Sequence, residues 1–199
     1  MKRKVTVILG TAHGSNVGGK CAPDKSIMEY KWSREMCQMI KAELEKRGVE
    51  VIIDIEGEVE PSLDKRIEIV NSICHQNGAS NCIYVSVHIN AAKNDGKWHD
   101  ASGFTVWVAK QCSEASKRLA LSLFEEAKKR NLFGNRYIPS TKFFTYDFKV
   151  LRKTLCPAIL VENMFQDNKK DVEYLLSDGG KQELCAVHVD GIMRYIENE

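Results

Sequence analysis

The chain has 199 residues, which is enough for one sizeable hydrophobic core but short for two domains. Hydrophobic residues make up 43% and charged residues 28%, and the net charge of +2 gives no basic surplus of the kind that nucleic-acid binding requires. We therefore expect one globular domain over residues 1–199 and no nucleic-acid partner.

The first half of the chain alternates short apolar runs with apolar residues at helical spacing. The apolar runs predict three buried strands, at residues 5–9, 49–55 and 82–88. Two helices are predicted between them. The first runs from Met28 to Gly48, and the second begins after Ser62, which can cap it, and ends near Gly78.

The second half continues the alternation. Strands are predicted at residues 103–109 and 158–162, and a helix between them is marked by apolar residues on one face: Leu119, Ala120, Leu123, Phe124 and Ala127. Residues 135–154 carry aromatics without a clean period, which predicts a loop leading into a short strand at 148–151. A terminal helix follows from the spacing of Leu184, Val187, Ile192 and Ile196. Such alternation predicts an α/β fold with helices on both faces of the sheet.

Three potential metal ligands lie at the ends of predicted elements. His13 follows the first strand, Glu29 begins the first helix, and His88 ends the third strand. In open α/β sheets, ligands bind at the carboxyl ends of strands, which favours a functional role for both histidines. Two imidazoles and one carboxylate leave a zinc ion one open position for water, as in catalytic zinc sites. The pattern therefore predicts a zinc hydrolase.

Glu29, Glu162 and His188 each have a possible structural role. Glu29 also fits a capping box in which Ser26 caps the helix and the glutamate reaches back to it, and spacing alone leaves both roles open. Glu162 ends an apolar strand, where a carboxylate is costly to bury unless it is paired or functional. His188 lies on the apolar side of the terminal helix, which predicts a packed core histidine.

The cysteines and the start of the chain bear on location. Seven cysteines are an odd number without a Cys-x-x-Cys pair, which predicts free thiols in a reducing compartment. The apolar stretch after Met1 to Lys4 is too short for a signal peptide and shows no cleavage pattern, and no later stretch approaches a membrane span. We expect synthesis in the cytoplasm without a signal peptide.

Four motifs give the chain a specific resemblance. Residues 7–14 (VILGTAHG), Glu29, residues 86–91 (SVHINA) and residues 157–165 (PAILVENMF) resemble, in order and spacing, the zinc-dependent N-acetylmuramoyl-L-alanine amidases of the amidase-3 type. Supporting matches are residues 63–66 with Asn71, residues 102–104, and Asn135 with Arg136. The likeness extends over nearly the whole chain.

The resemblance implies a twisted, mostly parallel sheet of about six strands, since that is the family fold. It also implies that His13, Glu29 and His88 bind zinc and that Glu162 is the catalytic carboxylate. The bond cut would be the amide between N-acetylmuramic acid and L-alanine in peptidoglycan, and we expect a monomer. Another zinc hydrolase, such as a peptidase or deacetylase acting on wall fragments, is the alternative. A non-catalytic wall-binding module is disfavoured because all four residues are intact.

The substrate contacts are less fully specified. Asn90 and Arg136 are predicted to contact substrate, together with aromatics of residues 137–148, because an elongated glycopeptide needs hydrogen bonds and stacking surfaces; alternatively, these aromatics pack a loop onto the sheet. Asn163 stands where the family usually has a small or hydroxyl residue, and residues 10–12 are Gly-Thr-Ala where Asp-Pro-Gly is common.

The expected origin is a phage or prophage endolysin, or a catalytic domain of a longer protein. In either case it would reach the cell wall after release or by another export route.

Overall fold

Six strands form one sheet in the computed structural model, which describes residues 4–198; residues 1–3 and residue 199 lie outside the described residues. The strands are β1 (Thr6–Thr11), β2 (Glu50–Ile53), β3 (Cys82–Asn90), β4 (Thr105–Val108), β5 (Phe144–Thr145) and β6 (Ala158–Phe165). Their order across the sheet is β2-β1-β3-β6-β4-β5.

The four strands β2, β1, β3 and β6 are parallel, and β4 runs antiparallel to β6. The carboxyl ends of β1, β3 and β6 therefore lie at one edge of the sheet. These strands are almost continuously buried, as expected for parallel strands covered on both faces. The predicted α/β fold with a mostly parallel sheet is confirmed.

Helices cover both faces of the sheet, as predicted. They are α1 (Glu29–Lys46), α2 (Leu63–Asn77), α3 (Glu114–Lys129), α4 (Lys149–Lys153), α5 (Lys169–Leu176) and α6 (Asp178–Glu197). Apolar side chains of α1, α3, α5 and α6 share one core cluster, and those of α2 and α4 share a second cluster on the other face. Alternate residues of β1 supply both cores, since Val7 and Leu9 face the first cluster and Ile8 faces the second.

One local prediction is wrong, and one helix was missed. The strand expected at residues 148–151 is helix α4, whose neighbouring Val150 and Leu151 both pack into the second core cluster. Adjacent residues point to opposite faces in a strand, so this shared packing requires helical geometry. Helix α5 was not predicted; its cap residue is Asn168, whose side chain accepts a hydrogen bond from the backbone N–H of Asp171.

The central strands also run past their predicted ends and are irregular there. His88 of β3 pairs with Glu162 of β6, but two residues later Asn90 pairs with Phe165, so β6 contains one extra residue. Met164, in this bulge, has a φ of 64°. Bulges bend a strand and redirect its side chains, which places Glu162 just before the point where the ladder changes register.

Asn163 joins the bulge to its surroundings. Its amide nitrogen donates to the carbonyl oxygen of His88 at 2.9 Å, and its side-chain oxygen lies 3.0 Å from Nε2 of His188. His188 is fully buried, as a core histidine should be, and burial lowers its pKa to about 3. The neutral imidazole can therefore donate this hydrogen bond, so the residue that departs from the family pattern links β3, β6 and α6.

Two further expectations concern the cysteines and membrane-spanning helices. All seven cysteines are free, and five of them are buried. Across residues 4–198, the helices are too short or too polar to cross a lipid bilayer.

Candidate metal centre

His13, Glu29 and His88 meet at the carboxyl edge of the sheet. Glu29 Oε1 lies 3.1 Å from Nδ1 of His88, and Glu29 Oε2 lies 3.7 Å from Nε2 of His13. One donor atom from each residue can be chosen so that all three lie within 4.8 Å of one another. Tetrahedral ligands at about 2.0–2.1 Å from zinc are about 3.3 Å apart, so the three side chains are spaced closely enough to share an ion.

Glu29 is directed into this cluster and away from the helix end. Met28 occupies the cap position of α1 without a side-chain hydrogen bond, and the Ser26 hydroxyl donates to Asp24. The Glu29 carboxylate instead accepts a hydrogen bond from the backbone N–H of Ile89 at 3.1 Å. The capping-box alternative is therefore wrong, because a side chain used inside the sheet edge cannot also bond to the cap residue.

The buried Glu29 carboxyl group remains charged. Burial by itself would raise its pKa, but the hydrogen bond from His88 and the positive charges available to His88 and His13 outweigh it, and the pKa lies below its usual value. Burial also lowers the pKa of His13, which favours neutral imidazole. An anionic carboxylate and a neutral imidazole are the forms that ligate metal ions.

His13 adopts a strained conformation that its surroundings hold in place. Its φ is 44°, in the left-handed region that few non-glycine residues enter. The Arg34 guanidinium donates to the carbonyl oxygens of Ala12 and His13, at 3.2 and 3.0 Å. The Ser33 hydroxyl accepts from the Ala12 N–H and donates to the Val87 carbonyl, tying the loop to β3. Helix α1 therefore holds the loop that carries His13 against β3, the strand that carries His88.

Glu60 lies beside the ring nitrogen of His13 that faces away from Glu29. A Cβ atom at Gly14 would lie 2.2 Å from the Glu60 backbone nitrogen, so only glycine allows the two segments to approach this closely. Asn16 fixes the approach by bonding to both the N–H and the carbonyl oxygen of Glu60. Glu60 Oε2 then lies 3.5 Å from Nδ1 of His13, leaving Nε2 toward Glu29. Carboxylates in this position orient metal-binding histidines.

We expect Glu60→Gln to weaken zinc binding about 10- to 100-fold, because loss of such a supporting carboxylate lowers metal affinity by that factor. Competition with a chelator of known affinity measures the change. Glu58→Gln is the matched control, since Glu58 is an exposed glutamate of the same acidic turn and should leave affinity unaltered. Equal affinities in the two variants would contradict a supporting role for Glu60.

Glu162 lies next to this cluster without a partner. It is paired with His88 on β3 and with Thr105 on β4, so its side chain shares a face with theirs. Within residues 4–198, its Oε2 atom is buried and makes no hydrogen bond. Burial and the negative charge of Glu29 raise its pKa well above the usual value, and Lys20 partly opposes this. A carboxylate kept in this state readily accepts a proton.

The two predicted substrate contacts lie at the same edge. Asn90 is opposite Phe165, and the Arg136 guanidinium carbon is 5.3 Å from the centroid of the Phe165 ring. The Asn90 side-chain oxygen accepts from the Ala91 N–H, and its amide nitrogen bonds to no described residue. Both side chains are half-buried and can still contact a ligand.

Comparison with known proteins supplies the family. The profile of the amidase-3 family, described as N-acetylmuramoyl-L-alanine amidase, matches residues 7–194. The chain belongs to this family. All four residues of the site lie inside the matched range, so the amidase fold and the clustered side chains coincide.

Curated relatives of this amidase-family chain include the endolysin of Bacillus phage SPP1, which is 26% identical over 186 residues, or 94% of the chain. The probable cell wall amidase LytH of Staphylococcus saprophyticus is 26% identical over 191 residues, or 96% of the chain. The chain spans 64% and 58% of the lengths of these two proteins. Both relatives therefore contain further sequence outside the shared amidase domain.

Solved amidase structures have the same fold. N-acetylmuramoyl-L-alanine amidase from Clostridium difficile 630 superposes with a TM-score of 0.83 at 20% identity, over 99% of each chain. Ami1 from Mycobacterium smegmatis superposes with a TM-score of 0.83 at 17% identity, over 100% of this chain and 99% of the other. At these identities the comparison establishes the fold alone.

Sequence patterns selected the four residues that lie together at this edge of the amidase-family fold, but not the residues that hold them in place. Glu60 lies in an acidic turn with no periodic signal, and Arg34 and Ser33 lie on a helix face that ordinary surface patterning also explains. Each acts through contacts 21 or more residues away in sequence. Such contacts become visible only once the elements are arranged in space.

Proposed function

We propose that the chain is an N-acetylmuramoyl-L-alanine amidase that hydrolyses the amide bond between N-acetylmuramic acid and L-alanine in peptidoglycan. The observation that supports this most directly is the buried, unpartnered Oε2 atom of Glu162 beside the cluster of His13, Glu29 and His88, in a chain of the amidase-3 family. Its partner is accordingly the cell wall, where the enzyme acts.

Zinc is the metal that these residues suit. Two imidazoles and one carboxylate are a known ligand set of catalytic zinc, and all three come from rigid elements or from a loop tied to them. The ligands are His13, Glu29 and His88, and Glu60 keeps the His13 ring in the required orientation. When bound, zinc polarises the amide carbonyl and lowers the pKa of the attacking water.

Glu162 moves the proton. Its carboxylate accepts a proton as a water molecule attacks the amide carbonyl carbon, and it returns that proton to the nitrogen as the carbon–nitrogen bond breaks. The products are the lactyl carboxylate of the glycan and the free amino group of L-alanine. The raised pKa of Glu162 serves both halves, because a group with a pKa nearer neutrality both accepts and releases a proton readily.

Digestion of purified peptidoglycan tests the function. We expect free L-alanine amino termini on intact stem peptides and glycan strands of unchanged length, both identified by mass spectrometry. Removal of metal by a chelator should abolish the reaction, and about one equivalent of zinc per chain should restore it. Cleavage within the peptide, or loss of acetyl groups, would instead identify a peptidase or deacetylase and refute the amidase assignment.

A further inference from the structure

The charged side chain of Arg136 has no acidic partner. Within residues 4–198 its guanidinium makes no hydrogen bond or ion pair, and its Nε atom is buried without a partner. Other arginines of the chain do have carboxylate partners within 3.0 Å: Arg47–Asp190, Arg66–Asp54, Arg130–Asp190 and Arg152–Asp147. An arginine whose donors are unused in a chain with many acidic residues is available for an external anion.

Aromatic rings fix the position of this guanidinium. Its central carbon lies 5.3 Å from the ring centroid of Phe165 and 5.9 Å from that of Phe144. Phe144 in turn stacks on Trp107, with the ring centroids 4.7 Å apart. Cation–π contacts hold a guanidinium without using its N–H donors, so the hydrogen-bonding fork stays free.

The segment before Arg136 is also rigid. Asn135 accepts a hydrogen bond from the Ser102 N–H at 2.9 Å and donates to the Asp100 carbonyl oxygen at 2.7 Å. Gly134 has a φ of 56°, and a Cβ atom there would lie 2.5 Å from the Ser102 carbonyl oxygen. The backbone beneath Arg136 is therefore held against the β4 side of the sheet, which reduces the entropy lost on binding.

Arg136 lies on the side of Glu162 opposite the metal cluster. His88 flanks Glu162 on β3, whereas Thr105 flanks it on β4, and the guanidinium lies between Phe144 of β5 and Phe165 of β6. A substrate bound at Glu162 can thus extend over β6 and β4 toward this cation.

We propose that Arg136 binds a free carboxylate on the stem-peptide residue that follows L-alanine, so that the enzyme prefers an acidic stem peptide to one amidated at that group. This inference rests on the proposed amidase function. Two residues of extended peptide span about 7 Å from the scissile bond, which is more than the roughly 4.8 Å between neighbouring strands and lets the peptide reach from β6 past β4.

Electrostatics favours this assignment. The carboxyl group of Glu162, when ionised, would repel a further carboxylate unless a fixed cation compensated for it. A guanidinium can bond both oxygens of a carboxylate at once, whereas an amide accepts at only one oxygen and carries no charge. The enzyme should therefore discriminate strongly in kcat/KM between acidic and amidated stem peptides.

Two synthetic glycopeptides test the proposal, identical except for a free carboxylate or a primary amide on the residue after L-alanine. We expect wild-type kcat/KM to be about 10- to 100-fold higher for the acid, as is typical of a hydrogen bond to a charged group. Arg136→Gln should remove this preference by slowing the acid alone, and Arg136→Lys should keep part of it. Arg194→Gln, a change at an exposed arginine of α6, should leave the preference intact.

Equal wild-type rates on the two glycopeptides would overturn the inference while leaving the amidase function standing. So would Arg136→Gln slowing both substrates equally, since that result assigns the arginine a structural role. If wild type cleaves neither glycopeptide nor peptidoglycan, the proposed function itself fails and this inference fails with it.

Discussion

Glu162→Gln is expected to lower the turnover of peptidoglycan about 100- to 10,000-fold while the protein retains its zinc, because a positioned acid–base group supplies that factor. Glutamine has the shape of glutamate but cannot accept the proton of the attacking water. The three metal-cluster residues are untouched, so metal affinity should persist. Peptide release and atomic absorption, measured on the same preparation, separate the two effects.

Stability provides a check that the variant folds. The pKa of Glu162 is raised in the folded protein, so the folded state binds this proton more tightly than the unfolded state, and stability is lost as pH rises above the unfolded pKa. Metal-free Glu162→Gln should therefore be more stable than metal-free wild type at pH 7. Glu173→Gln, at an exposed position of α5, is the control. A Glu162→Gln variant with a near-normal rate, or without zinc, would contradict the assigned role.

His88→Ala should abolish both zinc binding and activity. The substitution removes one of three proposed ligands, and it also leaves the buried Glu29 carboxylate without its partner at 3.1 Å. Loss of a hydrogen bond to a buried carboxylate typically costs about 1–3 kcal/mol, so this variant loses stability as well as its metal.

His88→Gln separates the two causes, because its amide can still donate to Glu29 while binding zinc poorly. Circular dichroism establishes folding, and zinc content with peptide release establishes function. His99→Ala is the matched control, since His99 is a half-buried histidine bonded to Asp95 at 2.9 Å, away from the cluster. A folded His88→Gln variant that keeps stoichiometric zinc would show that the metal ligands are misassigned.

Sequence reasoning predicted most of the fold because burial on both faces makes parallel strands into unbroken apolar runs. It failed where local pattern and tertiary packing diverge. Residues 148–151 resemble a strand in composition, yet packing against α2 makes them helical. The bulge in β6 likewise leaves no local signal, since its extra residue is defined only by pairing with β3.

The residues of the candidate site were likewise predictable from the sequence only in part. His13, His88 and Glu162 could be selected because strand ends at one sheet edge converge in any parallel α/β fold. The choice between two roles for Glu29 required its actual contact with Ile89. Supporting residues such as Glu60 depend on loop geometry, which composition does not encode.

The central position of β6 has a consequence for biosynthesis. β3 pairs on one side with β1 and on the other with β6, whose residues follow those of β3 by 74 or more positions. Such long-range pairing slows folding, because a long loop must close before the stabilising contacts can form. The middle of the sheet cannot close on the ribosome until residue 165 has emerged from the exit tunnel. We therefore expect the nascent chain to remain catalytically silent until β6 has left the ribosome.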